Sequence, residues 1–131
     1  MIIPFDVDAI RQYSLKDDTE PKTVFKLGYL DAQESAWLDA EFSKVEMKGR
    51  GDKMEPEIKI DIAGKYLEVV RLKLKGADNF GIDFKFTDKQ YPFGRRKVLD
   101  EKSLNSVKSC ISELAQEILK ESTLSGEQEK N

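Results

Sequence analysis

Apolar and polar positions change period several times along the chain, and each change predicts an element. Thr23, Val24, Phe25, Leu27 and Tyr29 form a partly alternating run of β-formers, which predicts a strand. Asp31 followed by Glu34 is the spacing of a capping box and opens a helix over about 32–45, with Leu38, Phe42 and Val45 on one stripe and Trp37 beside it at the core edge. Residues 48–56, with two glycines and five charges, read as a flexible connection. Residues 57–62 alternate strictly, which predicts a half-buried strand with Ile58, Ile60 and Ile62 facing the core.

Helical spacing then takes over. Tyr66, Leu67, Val70 and Leu74 share one side, opposite Lys65, Glu68, Arg71 and Lys75, with Asp61 as the cap and Gly76 as the terminator. Val70, Leu72 and Leu74 also alternate, so a strand through 69–74 stays open as the alternative. Residues 83–87 and 93–98 flank a turn with Asp88, Lys89 and Pro92 and read as a hairpin or an irregular excursion. The strongest pattern is the last: Leu104, Val107, Ile111, Leu114 and Ile118 recur at three-four spacing, widened by Ala115 and Leu119, and predict a helix from about Glu101 to Ser122. The stripe covers the domain's own strands or, as the alternative, forms a seam with a second copy.

These elements imply an α+β fold: a small, mainly antiparallel sheet from residues 23–30, 57–62 and 83–98, helices packed on one face, and a long C-terminal helix. Residues 1–20 read as an N-terminal arm or, as the alternative, a docked N-terminal segment, 21–122 as a single domain, and 123–131 as a flexible polar tail.

Composition narrows the chemistry. The chain has 131 residues, 39% hydrophobic and 36% charged, enough for one modest core with solvated faces. No apolar run approaches a membrane span, and the start lacks the basic region of a secretory signal, so a cytoplasmic location is expected. A net charge of −3 gives no bulk attraction to phosphate, and Arg95-Arg96-Lys97 is a short cluster expected on a solvated turn; nucleic acid is not an expected partner. The chain has no histidine, which removes the commonest general base and metal ligand. Its one cysteine, Cys110, falls among Val107, Ile111 and Leu114 at helical spacing and is expected to be buried and inert. Asp78 and Asp83 offer oxygens, but Phe80 and Ile82 interrupt the spacing of a calcium loop. The expectation is a protein with no catalytic residues, no metal and no cofactor.

Three short signatures occur in fixed order: Glu20-Pro21-Lys22-Thr23-Val24-Phe25-Lys26-Leu27, then Val70 to Phe80 with Leu74-Lys75-Gly76-Ala77-Asp78-Asn79-Phe80, then Leu124-Ser125-Gly126-Glu127-Gln128-Glu129-Lys130-Asn131. Together they resemble small morphogenesis proteins of tailed bacteriophages and prophages, a tail-assembly chaperone-like group. In that group the position of Ala77 is commonly aromatic. The resemblance implies a non-enzymatic binding factor in the bacterial cytoplasm, with phage tail or head–tail proteins as partners. The alternative it implies is a small structural component of the virion at the tail or head–tail junction; a histidine-free enzyme or a nucleic-acid binder is a more distant one. The expected partner-binding residues are Ile2, Ile3 and Phe5 in the arm, Trp37, Phe80, and Leu124 in the tail.

Overall fold

The computed structural model describes Asp6 and residues 8–128, with side chains described as far as Ser122. The elements run β1 (Arg11–Tyr13), β2 (Val24–Leu27), α1 (Ala32–Phe42), β3 (Ser43–Lys48), β4 (Glu55–Ile60), α2 (Ile62–Lys73), β5 (Leu74–Asp78), β6 (Phe86–Tyr91), β7 (Gly94–Leu99), α3 (Glu101–Ser106) and α4 (Ile111–Gln128). The fold is α+β, with small antiparallel sheets, helices packed against them and a long C-terminal helical segment.

The strands do not form the one sheet expected. They form a three-stranded sheet in the order β1-β2-β5, and two separate hairpins, β3-β4 and β6-β7. Part of the expected arm is β1, which pairs with β2 through Gln12 opposite Lys26. Phe25 and Leu27 from β2 enter the core, where Val69, Val70, Leu72 and Leu74 meet Leu104, Val107, Leu114 and Ile118. Helix α2 lies on α4, and β7 closes the other side of α2 with Val98 and Leu99.

Residues 66–73 are helical, as the spacing of Tyr66, Val70 and their neighbours predicts, and the Asp61 carboxylate accepts from the Gly64 N–H. Gly76 is not the terminator. The helix ends at Lys73, Leu74 is already extended, and Gly76 sits inside β5 opposite Lys26. The alternation of Leu72 and Leu74 therefore marks a helix passing directly into a strand. Asn79, at φ 60, makes the turn after β5, and its side chain donates to the Lys22 carbonyl.

The C-terminal helix is not continuous from 101. Asp100 caps α3, which breaks at Val107 and resumes, after a 3₁₀ turn at Lys108–Cys110, as α4. Ser103, Asn105, Ser106 and Ser109 crowd this stretch, and such side chains compete for backbone partners; the Ser106 hydroxyl donates to the Ser103 carbonyl. The bend still places Leu104, Val107, Cys110 and Leu114 in one core. Past Ser122 the helix extends to Gln128.

Candidate functional site

The largest departure from expectation is the β3-β4 hairpin. Helix α1 stops at Phe42 instead of continuing to Val45, and β3 pairs with β4 through Ser43↔Ile60, Val45↔Ile58 and Met47↔Pro56 on one face. The other face pairs Lys44↔Lys59, Glu46↔Glu57 and Lys48↔Glu55. Directly opposed residues on antiparallel strands share a face, so the hairpin has an apolar side and a charged side.

The apolar side is exposed, with nothing packed over it among the described residues. Ile58 is 68% exposed, Val45 66%, Met47 55% and Ile60 54%, and Met54 in the connecting turn is exposed as well. The isoleucines expected in the core, Ile58 and Ile60, thus face outward. Ile62, expected with them, is the exposed first residue of α2. Together the side chains of the face make an apolar patch on the order of 500 Å², a size that on a monomer commonly marks a contact site. The charged side is held by Lys59–Glu46 at 2.9 Å and Lys48–Glu57 at 3.0 Å.

The hairpin grows straight out of two helices. The Asp61 N–H donates to the Phe42 carbonyl at 2.8 Å and closes its base. Gly64 lets the first turn of α2 sit there, since a Cβ would meet the Asp61 carboxylate at 2.5 Å and the Phe42 ring at 2.9 Å. At the tip, Gly49 has φ 120, and a Cβ there would lie 2.3 Å from the Lys53 carbonyl oxygen. A cleft of about 390 Å³ lies at the base, with Phe42, Lys44, Lys59 and Asp61 among its walls.

The remaining polar clusters join elements of the body. Buried Glu68 accepts from Arg71, from Lys89 at 2.9 Å and from the Tyr91 hydroxyl at 3.0 Å. Burial pushes the Tyr91 phenol up, and the Glu68 charge adds to it, so Tyr91 serves as a proton donor to the carboxylate. Tyr13 is raised likewise, by burial first and then by its hydrogen bond to Glu113 at 2.5 Å, which ties β1 to α4. Arg96, from the basic cluster, lies on β7 rather than on a turn and reaches Asp31 at 3.4 Å; its neighbours Arg95 and Lys97 are exposed.

Two of the six expected contact residues have described side chains. Trp37 is half-buried on α1 against Phe42, Tyr91 and Phe93, with ring centres 5.2 Å from Tyr91. Phe80 is half-buried between Phe25 and Phe84, each 5.6 Å away. Ile2, Ile3 and Phe5 lie outside the described residues, as does the side chain of Leu124. None of the six lies in the hairpin. The alternation of Lys44, Val45, Glu46, Met47 and Lys48 was the available signal for β3, masked because Leu38, Phe42 and Val45 also continue a helical stripe.

Among the described residues no group of three or more Cys, Asp or Glu side chains is placed to hold a metal, and no helix is long and apolar enough to cross a membrane. No protein-family model matches the chain, and neither a curated protein nor a solved structure matches it.

Proposed function

We propose that this protein is a non-enzymatic binding factor of tailed-phage morphogenesis, chaperone-like in tail assembly, and that it holds its partner on the apolar face of the β3-β4 hairpin. One observation carries the proposal: Val45, Met47, Ile58 and Ile60 stand exposed on one side of a projecting ladder whose other side is charged. A folded chain that can bury Leu114 and Ile118 completely has no packing reason of its own to leave four large apolar side chains in water. The resemblance of the three signatures to phage morphogenesis proteins supplies the biological setting and the class of partner, a phage tail or head–tail protein in the cytoplasm of the host.

An assembly factor is released when its work is done, whereas a structural component stays in fixed copy number. Mass spectrometry of purified virions separates the two. The proposal expects the protein to be missing from intact particles while present in infected cells; stoichiometric recovery in particles overturns the chaperone role in favour of a structural one.

A further inference from the structure

We infer that the free edge of β3 is a self-association site, where two copies pair antiparallel across a two-fold axis at Val45 and join their hairpins into one four-stranded sheet. The inference rests on the hairpin being a contact surface, but not on the identity of any phage partner.

A two-stranded hairpin without a covering layer is marginal in water, and three or more strands are ordinarily needed. The β3-β4 ladder has six paired positions, and among the described residues no further strand pairs with it. Its two edges are not equivalent. Pro56 lies in β4 and cannot donate to a neighbouring strand, whereas β3 contains no proline.

Backbone direction, charge and the length of strand overlap then favour one register. Because Asp61 donates to the Phe42 carbonyl, the alternation of an antiparallel ladder points the backbone groups of Lys44, Glu46 and Lys48 at β4. Those of Ser43, Val45 and Met47 point outward. Placing Val45 opposite Val45 of a second copy lets these outward groups exchange hydrogen bonds, with Ser43 opposite Met47. It also sets Lys44 opposite Glu46 of the other copy, in the closer, non-hydrogen-bonded type of pair. A shift by one residue in the pairing mates apolar with charged faces. Centring the axis on Glu46 instead opposes Glu46 to Glu46 and Lys44 to Lys48, which is repulsive.

Lys44 supplies the independent reason for a partner. It lies directly opposite Lys59, and among the described residues the one ion pair of these two cations is Lys59 with Glu46. Among the described residues Lys44 has no carboxylate within ion-pair distance, and Glu46 of a second copy provides it. On the other face, the two apolar patches merge into one surface about twice as wide.

The test uses the full chain in sedimentation equilibrium over a wide concentration range. Wild type should form a reversible dimer. Val45→Pro removes an outward N–H and leaves the ladder to β4 intact; it should weaken the dimer roughly tenfold or more, the worth of one or two hydrogen bonds. Lys44→Glu should also weaken it, by setting a carboxylate against Glu46 of the other copy, although within one hairpin it improves the pairing with Lys59. Adding Glu46→Lys should restore association. Should Val45→Pro disturb the hairpin, the charge-reversal pair decides alone. A chain that stays monomeric at every concentration overturns the inference, and so does a dimer indifferent to the charge changes. Neither result touches the proposed function, which co-purification with phage proteins tests separately.

Discussion

The Lys73 ammonium lies 2.8 Å from Oε1 of Glu34, a carboxylate buried almost completely. Glu34 is also the third residue of α1, and the same Oε1 accepts from the Asp31 N–H in the capping box. Arg96 approaches Oε2 at 3.6 Å. One side chain therefore joins the start of α1, the end of α2 and strand β7. Lys73→Met should cost about 3 kcal/mol, because it leaves a buried charge short of its partner. Glu34→Gln added to it should recover part of that loss. Urea denaturation of the two variants checks both signs.

The core and the hairpin should respond oppositely to truncation. Leu114 is fully buried where α4 meets α2, so Leu114→Ala should cost roughly 2–5 kcal/mol. Ile58→Asp, on the exposed face, should cost no more than about 1 kcal/mol, the worth of its cross-strand pair with Val45. Thermal and chemical denaturation at a protein concentration low enough to keep the chain monomeric compares the two. A hairpin whose loss of Ile58 costs as much as Leu114 would mean that its apolar face is covered.

Cys110 is buried and its thiol donates to the Val107 carbonyl at 3.3 Å; burial pushes its pKa up, with Glu113 adding to the rise. Native protein should react with a thiol reagent far more slowly than unfolded protein. Rapid stoichiometric labelling of the folded chain contradicts the burial.

Asp100 caps α3 by accepting from the Ser103 N–H at 2.8 Å, and these Ser103 hydrogen bonds hold its carboxyl below the ordinary value. A depressed folded-state pKa contributes stability above the unfolded-state value, lost as pH falls through the folded-state one. Asp100→Asn, which keeps an acceptor but does not titrate, should narrow its stability deficit against wild type as the solution is acidified through that window. Denaturation curves across the acid range measure it.

The caps were the most legible part of the fold. Asp31 and Asp61 each sit at a helix start, because a short acceptor before an apolar periodic run has little else to do there. The stripe of Leu104, Val107, Leu114 and Ile118 likewise found the core, although the break at Val107 depended on a Ser/Asn cluster that spacing alone overlooks. The candidate site was half legible. Alternation at Ile58 and Ile60 says that they share a face, but only the arrangement of the neighbouring elements decides whether that face is covered. The same limit explains Gly76, which suits a helix end and a strand equally and was placed in β5 by its pairing with Lys26.

Co-purification reads binding at the hairpin's apolar face without an intermediate step. The tagged full chain is co-expressed with the phage tail and head–tail proteins proposed as its partners, in wild-type form and as Ile58→Asp, with the melting temperature of each recorded. Wild type should retain one of these proteins, and Ile58→Asp, still folded, should lose it. Retention of the partner by Ile58→Asp at wild-type levels would contradict the assignment of the hairpin's apolar face as the binding surface.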